Sequence, residues 1–366
     1  MSARKPLRVA VWATGGIGSI AINTIRHRSD LELIGVWVHS SNKVGCDAGE
    51  LAGGRSMGIA ATSDVDALIA LRPDCVVYTA SGPLRDAGAM PDYVRLLTAG
   101  VNIVSTTSTR FIYPPVIDAK WRNELADAAK AGNASFYASG IEPGFAADQL
   151  PLVLTTMSKS IRSIHAYEIG LYDDYAVADV MMDGMGFGRP MDFVPWIGAP
   201  GAVAHEWAPH IHMIADAMGY QVEDIRQTFD KRATNRVLDV ACGRIEAGTC
   251  GAVRMQAVGV IGGQEAIIIE HVTRMARDVA PDWPTASTDL TYRIEIKGEP
   301  DITCEMSCGL ADAASAGIKG MIAGAGAMVG TAMRVVNAIP YVVEAKPGLL
   351  SSRDLPITVP RHALVD

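Results

Sequence analysis

The sequence has no surplus of basic residues. Its 366 residues include 32 Lys and Arg against 40 Asp and Glu, which gives a formal net charge of −8. No basic stripe occurs along the chain, and clustered Lys and Arg supply most of the affinity of proteins for nucleic-acid phosphates. We therefore expect no nucleic-acid partner.

Paired cysteines are also missing. The six cysteines are scattered, none of them in a Cys-x-x-Cys pair, at Cys46, Cys75, Cys242, Cys250, Cys304 and Cys308. This spacing argues against a structural zinc site, and cysteines inside apolar runs are typical of reduced, buried thiols. We therefore predict a cytoplasmic protein.

The stretch HEWAPH at 205–210 looks like a metal-binding motif but lacks the required spacing. Zincins need two histidines four positions apart on one helix. His205 and His210 are five apart with Pro209 between them, and His210 and His212 are two apart, which would turn them to different sides of a helix. We predict no metal site.

Apolar runs long enough to cross a membrane are absent from the sequence pattern. The stretch GMIAGAGAMVGTAM at 320–333 has the glycine spacing of membrane helix dimers, but the fourteen residues between Lys319 and Arg334 fall short of the roughly 20 that a spanning helix needs. The short apolar run after Arg8 ends too soon for a signal peptide and fits a first strand. We expect no membrane partner.

The chain is long enough for two domains, because domains commonly hold about 100–200 residues. From residue 8 to about 140, short apolar strands alternate with helices, which is typical of a parallel sheet with helices on both faces. The strands are predicted at 8–13, 31–38, 73–80, 101–106 and 134–140, and the helices at 17–28, 64–71, 86–99 and 117–131. We therefore predict a Rossmann-type, doubly wound dinucleotide-binding domain at 1–144.

After Gly144 the pattern changes to longer stretches rich in branched residues, several of which alternate with period two. These stretches lie at 160–175, 251–263, 264–276 and 290–298. We predict a second, α+β domain at 145–315 with a mainly antiparallel sheet. A helix at about 316–337 is expected to begin a C-terminal segment, 316–366, that returns to the first domain. The fold class is α/β with this second domain.

The stretch RVAVWATGGIGS at 8–19 resembles the dinucleotide fingerprint G-x-G-x-x-G. Gly15 and Gly18 take the second and third glycine positions, whereas Ala13 takes the first, where we expect the cost of one methyl group only. The amides that open the following helix would face an anion. The alternative is a tight turn without a ligand. The predicted phosphate-binding residues are Thr14, Gly15, Gly16, Ile17 and Gly18.

The tip of the second predicted strand bears on the choice of dinucleotide. An Asp or Glu about 20 residues past the glycines usually accepts the ribose 2′-hydroxyl of NAD and would repel the extra phosphate of NADP. In this chain no acid lies between the end of the second predicted strand and Asp47. Hydroxyls, an amide and a cation lie there instead. We predict that NADP(H) is preferred and NAD(H) possible; the alternative is an ordinary polar loop. The predicted phosphate-binding residues are His39, Ser40, Ser41 and Lys43.

Four stretches, in order and spread over nearly the whole chain, resemble one family. They are VHSSNKVGCDAGEL at 38–51, SGIEPGFAADQLP at 139–151, GMGFGRP at 184–190 and VNAIPYVVEAKPGLLSSRDLP at 336–356. The family is that of the 2,4-diaminopentanoate dehydrogenase-like proteins and native amine dehydrogenases, which share a dihydrodipicolinate reductase-type nucleotide domain. The resemblance implies a two-domain fold, often a homodimer, that moves a hydride between NAD(P)H and a carbon bearing an amine.

One loop departs from that family. In its amine dehydrogenases the loop after the strand that matches 101–106 supplies a glutamate thought to engage ammonia, whereas this chain has Thr107, Ser108 and Thr109 there. Glu142 lies in the next loop, where the family often has Asn. We hypothesise that the carboxylate has moved between loops and that Glu142 performs the proton transfers. The alternative is that Glu142 only caps a turn.

Hydroxyl and apolar side chains complete the predicted site. We expect Thr107 and Ser108 beside the reacting groups, and Thr106, Ala80 and Ser81 against the cofactor, although hydroxyls also commonly satisfy local backbone. A mainly apolar substrate pocket is expected after the first long strand of the second domain, with core packing as the alternative. Its predicted residues are Tyr172, Tyr175, Met181, Phe187 and Trp196. A nearby acidic cluster could receive the second ammonium group of a diamine or simply be solvated: Asp173, Asp174, Asp179 and Asp183.

The function that combines these expectations is an NAD(P)H-dependent oxidoreductase acting on a C–N centre. In one direction it is an amine dehydrogenase, and in the other it aminates a ketone or aldehyde with ammonia. Two alternatives stay open: a ketone or imine reductase that does not use free ammonia, which the missing loop glutamate would permit, and an NADP-sensing protein without catalysis.

Overall fold

The computed structural model describes residues 5–80, 85–310, 324–361 and 363–364. The described chain packs into two compact units, one of residues 5–80, 85–141, 328–361 and 363–364 and the other of residues 142–310 with 324–327. Each unit has its own sheet.

The elements within the described ranges alternate in the first unit and are mostly strands in the second. The strands are β1 (Leu7–Trp12), β2 (Leu31–Trp37), β3 (Cys75–Tyr78), β4 (Asn102–Ser105), β5 (Ser135–Ala138), β6 (Ser160–Leu171), β7 (Asp224–Ala233), β8 (Leu238–Val240), β9 (Gly243–Ile245), β10 (Cys250–Ile261), β11 (Gln264–Arg274), β12 (Leu290–Glu299), β13 (Ile302–Met306) and β14 (Gly348–Leu350). The α-helices are α1 (Gly16–Ile25), α2 (Ala48–Leu51), α3 (Val65–Ala70), α4 (Arg85–Thr98), α5 (Ala119–Gly132), α6 (Gln149–Thr155), α7 (Ala202–Ala217), α8 (Ala325–Val336) and α9 (Ile339–Glu344).

The first unit contains a six-stranded sheet in the order β14-β5-β4-β3-β1-β2. Every neighbouring pair in it is parallel. Parallel strands need crossover connections, which the intervening helices supply. The carboxyl ends of β1 to β5 therefore lie along one edge of the sheet, where doubly wound folds bind their ligands. The predicted strands and helices of this region are confirmed.

The core of the first unit is built from the branched residues of the strands and one face of each packed helix. Val9 and Val11 of β1, for example, lie in one cluster with Ile22 of α1. Helix α1 buries Gly18, Ala21, Ile22 and Ile25, which recur at the spacing of one helical face.

Helices α8 and α9 also contribute to this core. Val335, Ile339 and Val342 belong to the same buried cluster as the strands. Among the described residues, the segment Ala325–Glu344 is long and apolar enough to cross a membrane by length and composition, and half of it is buried inside the protein. The beginning of the helix predicted at 316–337 lies outside the described residues.

The second unit contains a mixed sheet in the order β13-β12-β6-β11-β10-β7. Four neighbouring pairs are antiparallel, and β6 with β11 is the parallel pair. Helix α7 packs on one face of this sheet, where Trp207, Ile211 and Ile214 share a buried cluster with strand residues such as Ile269. The predicted fold class, a doubly wound sheet plus a second domain with a mainly antiparallel sheet, is confirmed.

Helix α7 contains a proline, and one expectation about the cysteines differs from the structure. Pro209 lies inside α7 and does not interrupt it, because the burial of the apolar face of the helix offsets the loss of one backbone hydrogen bond. The six cysteines are all free as expected, but Cys46, Cys304 and Cys308 are only partly buried. These three lie in a loop, on the terminal strand of a sheet and just after that strand.

Candidate functional site

The turn between β1 and α1 has the form of a dinucleotide phosphate loop. A Cβ at Gly18 would lie 2.0 Å from the carbonyl oxygen of Ala13, so only glycine lets α1 approach β1 this closely. A Cβ at Gly15 would meet no atom within 4 Å, which leaves room beside the loop for a bound group. Within the described residues no side chain caps α1 at Gly15, so the first backbone N–H groups of the helix are available to an anion.

Ala13 itself has a left-handed backbone conformation, with φ of 79°. The expectation that alanine here costs only one methyl group is therefore wrong. A Cβ at positive φ lies too close to the carbonyl oxygen that follows it, which glycine avoids because it has no Cβ. The first glycine of the fingerprint is normally required for this turn, and this chain retains the turn with strain.

A cavity of about 500 Å³ opens beside this turn, within the first unit. It is bounded by the ends of β1, β2 and β3 and by α4. Its lining residues are Trp12, Ala13, Thr14, Gly15, Trp37, Val38, His39, Ser40, Lys43, Tyr78, Ala80, Gly88, Ala89, Asp92 and Thr107. Six predicted cofactor-binding residues therefore line one space: Thr14, Gly15, His39, Ser40, Lys43 and Ala80.

Lys43 connects the tip of β2 to the glycine turn. Its Nζ donates to Thr14 Oγ1 at 3.1 Å, which places an ammonium group at the junction of the two predicted phosphate-binding segments. Ser41 begins the short 3₁₀ turn Ser41–Lys43 that positions this side chain. Ser41, Gly16, Ile17 and Gly18 are not among the residues that line the cavity.

The first acid after β2 is used for local structure. The Asp47 carboxylate accepts hydrogen bonds from the N–H groups of Gly49, Met57 and Gly58, at 2.8, 2.9 and 2.7 Å. Although removal from water acts in the opposite direction, hydrogen bonds that include those of Met57 and Gly49 hold the pKa of Asp47 well below its usual range. Asp47 therefore stabilises its own loop, and its acceptor capacity is already used.

Three aromatic rings form one wall of the cavity. Trp12 stacks on Trp37 with ring centroids 4.2 Å apart and on Tyr78 at 5.1 Å. The Tyr78 hydroxyl donates to Asp92 Oδ2 at 2.7 Å. Burial raises the pKa of Asp92. Sequence reasoning did not identify this wall, although an aromatic residue ends each of these strands, because the strands must first be paired before the rings are seen to align.

The predicted hydroxyl residues after β4 make local hydrogen bonds. Thr107 Oγ1 donates to the carbonyl oxygen of Ala80 at 2.7 Å. Ser108 is fully buried and shares a hydrogen bond of 3.1 Å with the Tyr93 hydroxyl. Thr106 is partly buried beside them, and Ser81 lies outside the described residues. The catalytic and cofactor-binding roles of these residues stay predictions.

Glu142 is buried in the second unit and lies beside polar partners. The turn Ile141–Phe145 has non-helical backbone angles at Glu142. Trp207 Nε1 of α7 donates to Glu142 Oε1 at 2.7 Å, and His271 Nε2 of β11 lies 3.0 Å from the same oxygen. Glu142 Oε2 is buried without a hydrogen-bond partner among the described residues. Buried carboxylate oxygens are normally paired, so an unpaired one is a candidate functional group.

A second carboxylate lies on the other side of His271. His271 Nδ1 is 3.5 Å from Glu168 Oε1, and the Tyr172 hydroxyl donates to that oxygen at 2.5 Å. Burial raises the pKa of Glu168, and the charge of Glu142 adds to this effect. Burial alone would lower the pKa of His271, but the charges of Glu168 and Glu142 raise it above its ordinary value. Two carboxylates therefore favour an imidazolium between them.

Sequence reasoning missed His271, Glu168 and Trp207. A signal was present, since Glu168 and His271 are ionisable residues inside apolar strand runs, where unpaired charge is rare. Their juxtaposition follows from the register of β6 and β11, which pairs His271 directly with Glu168. That register is a long-range property, and the sequence pattern does not specify it.

The predicted substrate-pocket residues occupy several environments. Met181 and Phe187 are fully buried in one hydrophobic cluster. Tyr172 bonds to Glu168 and lies 5.7 Å from the ring of Tyr175, whereas Trp196 is 55% exposed. Of the predicted acidic cluster, Asp183 pairs with Arg189. A pocket role for these residues stays a prediction.

The residues of the first unit fit a dinucleotide. The cavity begins at an open glycine turn with free helix N–H groups and continues past a cation at the tip of β2. A cavity of this kind on a doubly wound sheet is typical of dinucleotide-dependent oxidoreductases. The second unit adds a buried cluster of carboxylates and a histidine, which suits the chemistry of such an enzyme.

Comparison with known proteins identifies the family. Residues 145–366 match the model of the 2,4-diaminopentanoate dehydrogenase C-terminal domain. An amine dehydrogenase of Streptomyces virginiae is 36% identical over 96% of this chain and 96% of that protein. A 2,4-diaminopentanoate dehydrogenase of Acetoanaerobium sticklandii is 25% identical over 73% of this chain and 69% of that protein. The structure of an amine dehydrogenase from Mycobacterium smegmatis matches 97% of each chain with a TM-score of 0.76 at 19% identity, which shows the same fold.

The chain belongs to the family of 2,4-diaminopentanoate dehydrogenases and amine dehydrogenases. It is an NAD(P)-dependent oxidoreductase of the amine dehydrogenase type. The predicted family and enzyme class are thereby confirmed.

The two glycines of the turn have separable roles, which alanine substitutions test. We expect Gly18→Ala to lose about 1–3 kcal/mol of unfolding free energy, because its Cβ meets backbone. Gly15→Ala should change stability by less than about 0.5 kcal/mol and weaken NADPH binding about tenfold, because its Cβ enters the open cavity. Urea unfolding measures the stability of each variant, and fluorescence titration measures its Kd for NADPH. Equal effects of the two variants on stability would contradict this assignment.

The strain at Ala13 predicts a stabilising substitution. Ala13→Gly should raise the unfolding free energy by about 1 kcal/mol, since glycine adopts the left-handed conformation without a clash. Ala21→Gly in α1 is the matched control and should lower it by about 1 kcal/mol or more. Urea unfolding of both variants provides the measurement. A destabilised Ala13→Gly protein would show that the turn is not strained.

Proposed function

We propose that the protein interconverts an amine with a ketone or aldehyde and free ammonia, with NADP(H) as its preferred cofactor. The observation that carries this proposal is the buried Glu142. Its Oε1 accepts from Trp207 and faces His271, while Oε2 has no hydrogen-bond partner in the part of the chain that the structure describes. Along the chain, Glu142 follows the carboxyl end of β5, where doubly wound folds place ligand-binding residues.

The chemistry moves two protons from the nitrogen of ammonium to the carbonyl oxygen, one as ammonia adds to the carbonyl and one through an acid–base group. A carbonyl compound and ammonium give an iminium ion and water: ammonium first loses a proton, and the hydroxyl of the carbinolamine later leaves with one. A carboxylate that accepts the first proton can return it for the second step, so that Glu142 ends unchanged. The anionic charge beside it also favours the cationic iminium.

The bound dinucleotide supplies the hydride in the reductive direction and accepts it in the other. The residues that would hold it are those of the cavity in the first unit, with Gly15 and the N–H groups of α1 at the phosphates. Lys43, His39 and Ser40 would receive the 2′-phosphate that distinguishes NADP from NAD. The loop that follows β2 offers no free acid to the ribose hydroxyl there, because Asp47 is bonded to its own backbone.

We also propose that the protein works as a cytoplasmic homodimer. Six free cysteines are compatible with a reducing compartment, and dimers are common in the family that the sequence resembles. The missing loop glutamate at 107–109 does not exclude ammonia as the nitrogen donor, since Glu142 can perform its proton transfers.

Glu142→Gln tests the catalytic role of the carboxylate. We expect kcat to fall by about 10²–10⁴-fold, which is the usual contribution of general acid–base catalysis, while the Kd of NADPH stays within about twofold. Glu265→Gln, an exposed change at the start of β11, is the control and should keep full activity. NADPH oxidation with a panel of ketones and aldehydes, with and without ammonium, provides the measurement. Wild-type turnover that does not depend on ammonium would support a ketone or imine reductase instead.

Lys43→Met tests the cofactor preference. The loss of a charge-assisted hydrogen bond should weaken NADPH binding about tenfold or more, whereas NADH binding should change by less than about twofold. Lys120→Met, which removes an exposed lysine of α5, should leave both unchanged. Calorimetric titration with each dinucleotide measures the Kd values. Equal losses for NADPH and NADH would show that Lys43 does not contact the 2′-phosphate.

A further inference from the structure

We propose that His271 and Glu168 form a proton relay behind Glu142, in which His271 stores the proton that converts the newly formed amine into its ammonium form. The relay deepens the proposed function, because it depends on Glu142 as the group that meets the substrate. His271 and Glu168 act through Glu142 and are positioning residues.

The proton balance of the reaction leaves one proton to be supplied to the product amine. Carbonyl and ammonium give an iminium ion and water without net proton uptake, and hydride addition to the iminium gives a neutral amine. That amine takes up one proton to leave as ammonium. In the relay, His271 Nε2 first gives its proton to the Glu142 carboxylate, and the resulting carboxylic acid gives a proton to the amine. The imidazolium thereby becomes imidazole, and Glu142 ends as the carboxylate it was. Solvent reloads the imidazole after the product leaves.

The distances arrange three groups in one line. His271 Nε2 lies 3.0 Å from Glu142 Oε1, within hydrogen-bond reach for proton transfer. Its other ring nitrogen, Nδ1, lies 3.5 Å from Glu168 Oε1. Because each ring nitrogen faces a carboxylate oxygen, both nitrogens act best as donors, which is the protonated form of the ring. When Nε2 gives up its proton, Nδ1–H still faces Glu168.

Glu168 is held for this role from two sides. The Tyr172 hydroxyl donates to it at 2.5 Å, and the sheet register places it between His271 of β11 and Tyr292 of β12. A buried carboxylate against one nitrogen of an imidazole fixes the ring orientation and stabilises the imidazolium, as in hydrolase triads.

The side chains of the cluster are nearly inaccessible to solvent. The side chains of His271, Glu142 and Glu168 are 9%, 3% and 5% exposed. The other titratable groups whose charges act on the cluster are Glu206 of α7 and the phenols of Tyr172, Tyr175 and Tyr292. Burial and the charge of Glu168 raise the pKa values of all three phenols. They therefore stay neutral at physiological pH and do not supply the cation that His271 supplies.

The same sheet offers a matched control on its opposite face. His165 Nε2 lies 2.9 Å from Glu270 Oε2, but this carboxylate also accepts from Arg254 and Gln256, at 2.6 and 2.5 Å. Although burial acts to raise it, these three partners lower the pKa of Glu270 to about 2. The ring of His165 stacks on Tyr167 with centroids 3.8 Å apart. The Arg254 guanidinium therefore already balances the charge of Glu270, and this second histidine–glutamate pair lies outside the proposed relay.

The first test measures the protonation of the His271 ring and does not depend on catalytic activity. NMR titration of the histidine ring signals, assigned with His271→Gln and His165→Gln, should show that His271 keeps its proton above the ordinary histidine range. In Glu168→Gln the midpoint of His271 should fall by about one pH unit or more, since one neighbouring anion is lost. The midpoint of His165 should not move in that variant. An unchanged His271 midpoint in folded Glu168→Gln protein would overturn the relay.

The second test reads the pH dependence of kcat with NADPH, carbonyl and fixed total ammonium. In the wild type, kcat should decline at high pH as His271 loses its proton, and Glu168→Gln should move this decline to lower pH by about one unit or more. His271→Gln should lower kcat at least about tenfold and remove the His271-dependent part of the decline, with little change in the KM of the carbonyl. His165→Gln should leave the profile unmoved.

The outcomes separate the relay from the proposed function. A folded His271→Gln protein with a wild-type pH profile, or one whose kcat falls equally at every pH with the same profile, would show that His271 is only structural. Full activity of Glu142→Gln would instead refute the role of Glu142, whatever the histidine titration shows. If His271→Gln does not fold, both measurements are made on Glu168→Gln alone. This variant is expected to fold, because the glutamine side chain still accepts the hydrogen bond from Tyr172.

Discussion

Two carboxylates, Glu142 and Glu168, face one imidazole, that of His271, and all three side chains are nearly completely buried. The burial of two carboxylate anions is unfavourable unless a cation lies beside them or one of them takes up a proton. The ring between them meets this requirement as an imidazolium, and Trp207 and Tyr172 each satisfy one carboxylate oxygen. Glu142 Oε2, which has no hydrogen-bond partner among the described residues, is the oxygen that the account assigns to the substrate.

The nucleotide cavity depends on a different constraint, the close approach of α1 to β1. Gly18 permits that approach, and Ala13 adopts a left-handed conformation to make the turn. The chain thus retains the geometry of the fingerprint with one substituted glycine, at the cost of local strain. Lys43 then joins the turn to the tip of β2 through Thr14, which makes one continuous polar surface of two segments that are separate in the sequence.

Local patterns predicted most of the fold and part of the site. Alternating short apolar strands and helices are a local signal, and they predicted the doubly wound sheet; the Gly15 and Gly18 positions and the acid-free loop before Asp47 were also readable. Glu142 was identified because a family motif surrounds it. His271 and Glu168 were not, since only the pairing of β6 with β11 brings them together. The positive φ of Ala13 and the alignment of Trp12 with Trp37 likewise depend on tertiary packing.

The most direct test of the account is whether nitrogen from free ammonium is incorporated into the product. The purified protein is incubated with NADPH, a carbonyl substrate that supports turnover and isotopically labelled ammonium, and the product is analysed by mass spectrometry. The account predicts a labelled amine from the wild type and almost none from Glu142→Gln with the same bound cofactor. An alcohol without labelled nitrogen, or the same yield of labelled amine from both proteins, would contradict it.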